Sequence, residues 1–174
     1  MITITSDKIK SFSQKSYNEF LEEVNIHQLS CSCGIRGHLI KHAYYKRSIK
    51  TPNGLTILRI LRVICKSCNT THAIFPTEIV PFSQIPLLDH ISIILTYHIH
   101  ESFEPIMMEN EFIDESNIRY IISQYLRHWK ERMVAYSLSI TDDINLLVTR
   151  CLTIFKRQFM QIKCTPNILF LRPT

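Results

Sequence analysis

The hydrophobic pattern of this 174-residue chain changes from strand-like to helical near Pro86. Before Pro86, the first regular pattern is an amphipathic helix predicted over residues 11–24. Residues rich in β-branched and aromatic side chains then predict strands over 38–49 and 55–64. Between them, Pro52-Asn53-Gly54 is typical of a turn, so the pattern predicts a β-hairpin.

The second half of the chain is predicted to be helical. Three prolines indicate an extended connector over residues 71–86, and a helix is expected from Leu87 to His100. An acidic turn region follows over 102–111, and apolar residues at helical spacing then predict a helix over 116–133. The final helix is expected to begin near Thr141 and Asp142 and to extend to Ile162.

The composition indicates an ordinary globular chain. Its hydrophobic content of 45% can build a core, and only 3 glycines argue against low complexity. No apolar run approaches the length of about 20 residues that a membrane span needs. The first residues also lack the pattern of a secretory signal, so we expect a cytoplasmic protein without a membrane partner.

Two close cysteine pairs, Cys31-Ser-Cys33-Gly34 and Cys65-Lys-Ser-Cys68, flank the predicted hairpin. Two turns that each supply two thiolates are typical of a structural Zn²⁺ site. Buried free thiols and disulfides are the alternatives, and the first pair is one residue shorter than the usual turn. A histidine could therefore replace one cysteine as a ligand; the candidates are His27, His38 and His72. The lone cysteines Cys151 and Cys164 are interpreted as packing residues.

Positive charge is concentrated in the first half of the chain. Residues 1–86 contain 11 Lys and Arg against 5 Asp and Glu, and the segment between the cysteine pairs has no acidic residue. Localised positive charge favours phosphate binding, although a solvated face is the alternative. The candidate phosphate-binding residues of the hairpin region are Arg36, Lys41, Lys46, Arg47, Lys50, Arg59 and Arg62.

The predicted helix over 116–133 has a polar face that can contact base edges in a major groove. Its candidate DNA-reading residues are Arg119, Gln124 and Arg127. With the preceding helix, it could form a helix-turn-helix, but an ordinary solvated face explains the same pattern.

Catalysis has little support in the sequence. A zinc ion bound by four thiolates has no open coordination position, so the site is expected to be structural. No phosphate-binding glycine-rich loop or nucleophile motif is present, and the carboxylates occur mostly at helix starts or in one loop. We therefore expect a protein that is not an enzyme.

Two runs of this sequence resemble a known family. They are Leu29-Ser-Cys-Ser-Cys-Gly34 and Leu58-Arg-Ile-Leu-Arg-Val-Ile-Cys-Lys-Ser-Cys-Asn-Thr-Thr-His-Ala-Ile-Phe-Pro76. They resemble the N-terminal zinc-binding ribbon of bacterial insertion-sequence transposases. The resemblance is greatest to an uncharacterised bacterial family that carries this ribbon without the nuclease domain. It covers about residues 29–86; the segments 128–132 and 155–163 are similar with less specificity.

This resemblance implies that Cys31, Cys33, Cys65 and Cys68 bind the metal and that a helix-turn-helix-like part follows. The expected fold class is α+β, with a zinc ribbon, formed by a β-hairpin and its four-cysteine site, packed against an N-terminal helix and followed by an all-helical part. The expected boundaries are 1–28 for the N-terminal helix, 29–76 for the ribbon, 77–86 for the connector and 87–174 for the helical domain.

The sequence thus predicts a zinc-ribbon protein that binds double-stranded DNA, as an accessory, regulatory or remnant protein of a transposable element. A protein-interaction adaptor that uses the ribbon as a scaffold is the alternative, and a small metal-dependent nuclease is less favoured. A protein partner or a homodimer is compatible with either of the first two hypotheses.

Overall fold

The computed structural model of the protein describes residues 1–6, 9 and 11–161. The chain divides into two compact units. The first contains Met1–Ile49 and Leu55–Pro76, and the second contains Lys50–Gly54 and the chain from Thr77 onward. Strands and helices are both present, so the fold is mixed α+β.

A four-stranded sheet organises the first half of the chain. Its strands are β1 (Ile2–Ile4), β2 (Leu39–Thr51), β3 (Gly54–Cys65) and β4 (Thr71–Pro76). They lie in the order β1-β4-β3-β2. β1 is parallel to β4, with Thr3 opposite Phe75, whereas β3 is antiparallel to β4, with Val63 opposite His72.

The predicted hairpin is present as β2 and β3. Its turn depends on Gly54, whose φ of +105° is accessible to glycine at little cost. The Thr51 hydroxyl donates a hydrogen bond to the Gly54 carbonyl (2.8 Å) and closes the turn.

Helix α1 (Gln14–Glu23) contacts β3 through side chains. Ser13 caps the helix by accepting a hydrogen bond from the Ser16 amide. The Gln14 side chain behaves like a strand neighbour, because its Oε1 accepts from the Arg59 amide (2.7 Å) and its Nε2 donates to the Arg59 carbonyl (3.4 Å). The predicted helix over 11–24 is thus present in a slightly shorter form.

The second unit is helical. Its helices are α2 (Leu87–His100), α3 (Glu104–Glu109), α4 (Glu115–Gln124), α5 (Lys130–Ala135) and α6 (Ile144–Phe155). The Trp129 side chain is fully buried in its core and meets Phe155 and Phe159 edge to face, with ring centroids 5.6 and 5.2 Å apart. Such aromatic pairs contribute beyond the area they bury.

Several elements differ from the sequence prediction. Strand β1 was not predicted, and residues 71–76 of the expected connector form β4. Helix α3 lies inside the expected turn region. These strands and this short helix depend on pairing and packing with distant residues, which local periodicity does not report.

The two last predicted helices are also interrupted. The stretch expected as one helix over 116–133 contains a π-helical segment at Tyr125–Trp129 between α4 and α5. The final helix ends at Phe155, because Lys156 adopts a left-handed φ of 55° and its amide bonds to Leu152. Phe159 packs in the core beyond the helix, and Ile162, Lys163 and Cys164 lie outside the described residues.

Candidate metal centre

The first cysteine pair lies in a tight turn. The Cys31 amide donates to the Ile35 carbonyl (3.0 Å), and the Gly34 amide donates to the Cys31 carbonyl (2.9 Å). Gly34 has a φ of +87°, a conformation that L-residues with a side chain rarely adopt. An isolated bridge between Ser30 and Arg36 closes the base of the turn.

The second pair lies in a turn of similar design at the end of β3. The Asn69 amide donates to the Cys65 carbonyl (2.9 Å), and the Cys65 amide donates to the Thr70 carbonyl (3.0 Å). Asn69 has a φ of 55°, which asparagine tolerates better than most residues. In each turn, therefore, a residue in left-handed conformation follows the second cysteine directly.

These turns bring the four cysteine sulfurs together. The Sγ atoms of Cys31, Cys33, Cys65 and Cys68 all lie within 4.8 Å of one another. The Sγ atoms of Cys31 and Cys68 are 3.5 Å apart, and those of Cys33 and Cys65 are 3.9 Å apart. Each close contact thus joins one sulfur of the first turn to one of the second.

The sulfur geometry fits a tetrahedral metal site better than disulfides. Zn–S bonds of about 2.3 Å in a tetrahedron place neighbouring sulfurs about 3.8 Å apart. A disulfide requires about 2.05 Å, much shorter than the observed contacts. All four side chains are free cysteines, and together they could hold a metal ion.

The local hydrogen bonds favour thiolates in the second turn. The hydroxyl and amide of Thr70 hydrogen-bond to Cys68 and lower the pKa of its thiol to about 6. The amides of Cys68 and Ser67 lower the pKa of the Cys65 thiol. Because a thiolate, and not a thiol, is the metal ligand, both effects favour metal binding. In the first turn, a backbone hydrogen bond lowers the pKa of the Cys33 thiol, but desolvation and hydrogen bonds with the other cluster thiols outweigh it and raise that pKa to about 11, which favours the protonated form until a metal binds.

The histidines have different places around this cluster. His72 is buried, and its Nε2 lies 3.2 Å from the Cys31 Sγ atom. His38 is exposed and its Nδ1 contacts the Ser67 hydroxyl (2.6 Å). His27 is exposed, and its amide donates to the Asn25 side chain (3.2 Å). The structure therefore places His72 beside a candidate ligand, and the group of four sulfurs includes no histidine.

The predicted phosphate-binding residues fall into two sets. Lys41, Lys46, Arg59 and Arg62 are exposed on the hairpin strands. The guanidinium of Arg59 lies 5.6 Å from the Tyr44 ring centroid, and that of Arg62 lies 5.2 Å from the Tyr45 centroid. Since neighbouring residues on a strand point to opposite faces, these two cation–π pairs occupy opposite faces of the hairpin.

The other hairpin cations are already engaged within the protein. The guanidinium of Arg47 is half-buried and lies 4.9 Å from the Phe75 ring centroid. Lys50 forms an ion pair with Asp114, and the Nε atom of Arg36 donates to the Gln28 carbonyl (2.8 Å). Sequence charge alone does not reveal such contacts.

The three candidate DNA-reading residues also differ. Arg119 is bound to Glu115 (2.6 Å) and its guanidinium lies 4.3 Å from the Phe103 ring centroid. Gln124 is half-buried at the end of α4, whereas Arg127 is exposed in the π-helical segment. The structure does not align these three side chains on one regular helix.

Sequence reasoning missed two features of this region. It weighed His72 only as a replacement ligand and did not foresee its contact with Cys31. It also gave no role to Tyr44 and Tyr45, although each lies under an arginine. Tyrosines interleaved with basic residues on paired strands were the available signal.

No other cluster of potential metal ligands occurs among the described residues. Within residues 1–6, 9 and 11–161, the cysteine cluster is the one group of three or more His, Cys, Asp or Glu placed to hold an ion. In the same part of the chain, no helix combines the length and apolar character required to cross a bilayer.

The comparisons with known proteins add no relationship. The chain matches no protein-family model, and neither the curated proteins nor the solved structures contain a significant match to it.

Proposed function

We propose that this protein is a zinc-stabilised DNA-binding protein. The observation that carries the proposal is the position of the four-sulfur cluster at the open end of the hairpin. The segment between the two cysteine pairs contains exposed cations and no Asp or Glu. The metal would be structural, since four thiolates leave no coordination position for a substrate. Thiolate ligands in a tetrahedral arrangement suit Zn²⁺, and bound metal would contribute directly to the folding of so small a unit.

The exposed cations on one face of the hairpin, Lys46 and Arg59, would contact the phosphate backbone. The stacking of Arg59 on Tyr44 holds a guanidinium in place before a phosphate arrives and lowers the entropy lost on binding. A groove of about 320 Å³ lies beside this pair and is lined also by Gln14 and Asn18. Hydrogen-bonding side chains around a fixed cation are a common arrangement for phosphate contacts.

The helical unit would supply further DNA contacts. Arg127 is exposed and can reach a phosphate or a base edge, whereas Arg119 would first have to leave Glu115. By its resemblance to transposase zinc ribbons, we infer an accessory, regulatory or remnant protein of a transposable element. In this proposal the helices act as a helix-turn-helix-like part, and the protein cuts no DNA.

Duplex binding at two salt concentrations tests this function. Several phosphate contacts make affinity fall steeply between about 50 and 200 mM salt because counterions are released. The double charge reversal Lys46→Glu with Arg59→Glu, at two cations on the same face of the hairpin, is expected to abolish duplex binding in fluorescence anisotropy. Lys15→Glu is the matched control, because this lysine lies on α1, outside the hairpin, and its side chain is 88% exposed. An equal loss of duplex affinity in the hairpin double variant and in Lys15→Glu would contradict the proposal. A duplex affinity that does not depend on salt would contradict it as well.

Exposed apolar side chains near the hairpin turn support a second function, that of a protein-interaction adaptor. Leu55 and Ile57 are 59% and 55% exposed, and they lie two residues apart on one face of β3. Such residues suit a protein partner better than a phosphate backbone. Leu55→Ser with Ile57→Ser, which removes the apolar side chains without adding charge, would leave duplex affinity nearly unchanged if the hairpin binds DNA through its cations, and would abolish self-association if the partner is a second copy.

A further inference from the structure

The second unit contains a cavity of about 330 Å³ that the proposed function does not use. Every residue that lines it belongs to this unit, including Lys50 at the hairpin end. Its volume lies at the lower end of the range of about 300–1,000 Å³ that is typical of small-molecule sites. The cavity therefore has room for one compact ligand.

An unusual turn forms one wall of the cavity. The Ser83 amide donates to the Val80 carbonyl (3.1 Å), which makes Pro81 and Phe82 the central residues of a four-residue turn. Proline at the second position and a positive φ at the third are the marks of a type II turn, in which the third residue is usually glycine. Here that residue is Phe82, with a φ of 67°.

The Phe82 ring has no evident structural role that would offset this strain. Its side chain is 53% exposed and lines the cavity, so it adds little to the core. Met160, which has a φ of 63°, lines the same cavity. Strained backbone of this kind clusters at ligand sites, where a side chain is kept for contact with a ligand and not for folding.

Helix α4 provides the facing wall. Asn117, Tyr120 and Gln124 lie on one side of the helix and line the cavity. The Tyr120 side chain is half exposed, so a second aromatic ring borders the opening. The amides of Asn117 and Gln124 each offer a hydrogen-bond donor group and an acceptor.

The cavity is polar but electrically balanced. The charge of Lys50 is paired with Asp114, and the Asn117 amide also donates to Asp114 (3.0 Å). The other polar side chains of the lining, which include Gln84, carry no formal charge. Among them, the Ser83 Oγ atom lies 2.9 Å from the Nε2 atom of the buried His90. Burial lowers the pKa of His90 to about 3, so its ring is neutral at pH 7. A phosphate or carboxylate would thus meet no unpaired cation among these groups.

From this combination we propose that the cavity binds a nucleobase. A flat heterocycle would stack on Phe82 and Tyr120, and its polar edge would form hydrogen bonds with Asn117 and Gln124. The neutral lining suits an uncharged ring, and amide side chains are the usual partners of base edges. The base can belong to a free nucleoside or to an unpaired position in a strand. This inference goes beyond duplex binding by the hairpin and does not depend on it.

Calorimetric titration of the full-length protein with each of the four common nucleosides tests the free ligand. Fluorescence anisotropy then compares a fully paired duplex with the same duplex carrying one unpaired base. The two variants are Phe82→Gly, which gives the turn its usual residue, and Gln124→Met, which removes the amide at similar volume. Tyr136→Leu is the control, because it removes a half-exposed ring that lies outside the cavity and has no part in the proposed hairpin contacts.

Phe82→Gly is expected to keep or raise the thermal unfolding midpoint while it weakens nucleobase binding about tenfold. Gln124→Met should weaken binding as well, and Tyr136→Leu should not. If a nucleoside binds and both cavity variants weaken that binding, the ligand is a free nucleoside. If the protein prefers the duplex with one unpaired base and both variants abolish the preference, the ligand is a base within a strand. The proposal would be overturned if the protein neither binds a nucleoside nor prefers the duplex with one unpaired base. It would also be overturned if neither cavity variant alters the binding observed. Lys46→Glu should weaken binding of both duplexes and leave nucleoside binding and the preference for the unpaired base unchanged, so failure of the hairpin proposal would be seen separately.

Discussion

The Nε2 atom of His72 lies 3.2 Å from the Sγ atom of Cys31. Both side chains are buried, and His72 lies on β4 directly opposite Val63 in the neighbouring strand. Burial lowers the pKa of His72, so its neutral ring can donate one N–H to a Cys31 thiolate. A donor to a ligand sulfur fixes the ligand and tunes its affinity without binding the metal.

His72→Ala is therefore expected to weaken zinc binding about 10–100-fold and not to abolish it. His72→Gln keeps a hydrogen-bond donor and should restore part of the affinity. Competition with a chromophoric chelator measures these affinities. His27→Ala, which alters an exposed histidine, should leave the affinity unchanged. Loss of zinc from His72→Ala as complete as from a cysteine variant would make His72 a ligand itself.

Removal of one cluster sulfur should abolish the metal site. We expect one zinc ion per chain by elemental analysis, and none in Cys65→Ser, because an incomplete tetrahedron loses much of its affinity. The variant should also lose strand signal in circular dichroism, since metal binding and folding are coupled. Cys151→Ala is the control for a lost thiol, because Cys151 is buried in the helical core. A wild-type protein without metal, or zinc retained by Cys65→Ser, would refute the site.

The hydroxyl of Tyr17 should contribute to the stability of the sheet unit. This buried group accepts a hydrogen bond from the Leu61 amide (3.0 Å) and donates one to the Ile74 carbonyl (2.9 Å), so it connects β3 to β4. Tyr17→Phe leaves a buried amide without this partner and is expected to cost about 1–3 kcal/mol. Tyr44→Phe, at an exposed position, should change the unfolding free energy by less than about 0.5 kcal/mol. Chemical denaturation of both variants checks this, and equal effects would contradict the assigned role.

Local signals were sufficient for the hairpin, for α2 and for the approach of the cysteine pairs. Pro52-Asn53-Gly54 defines a turn within a few residues, and the apolar positions after Pro86 define a helix that begins at Leu87 and ends at His100. Close cysteine pairs on turns at the two sides of one hairpin must meet when its strands pair. In these cases, the structure is determined by residues that are close in sequence, so a local sequence pattern is enough to predict it.

Long-range pairing left no comparable signal. Three residues, Ile2–Ile4, form a strand because β4 lies alongside them, although more than 60 residues of sequence separate the two. Charge was misleading for the same reason, since Arg47 and Lys50 resemble Lys46 in sequence but have internal partners. The π-helical segment was also hidden, because Tyr125 and Trp129 fit the apolar stripe of a regular helix.

Two adjacent residues of β2 should therefore separate DNA affinity from stability. Lys46 is exposed, whereas Arg47 is half-buried over the Phe75 ring. Lys46→Met should weaken duplex binding and reduce its salt dependence by about one unit of slope, with little change in stability. Arg47→Met should reduce stability by about 1–2 kcal/mol and leave the salt slope unchanged. Anisotropy titrations over several salt concentrations, with urea unfolding, make the comparison. A lower salt slope in Arg47→Met would show that this guanidinium binds phosphate.

Acid should destabilise the helical unit through His90. The unfolded histidine has a pKa of about 6.5, whereas burial holds the pKa of folded His90 near 3, so the unfolded state binds a proton that the folded state does not. This stabilising difference is complete above about pH 6.5 and is lost as the pH falls toward 3, with a slope of up to about 1.4 kcal/mol per pH unit. Urea unfolding at pH 7, 6 and 5, followed by the fluorescence of Trp129, the single tryptophan, measures it.

The matched variants are His90→Gln and His100→Gln, the latter at an exposed position of the same helix. His90→Gln should lower stability at pH 7, because it disturbs a buried contact with Ser83, and it should remove the contribution of one proton from the pH slope. His100→Gln should retain the wild-type slope. Identical slopes in all three proteins would mean that His90 is protonated as readily in the folded chain as in the unfolded one, and that its burial does not control the acid response.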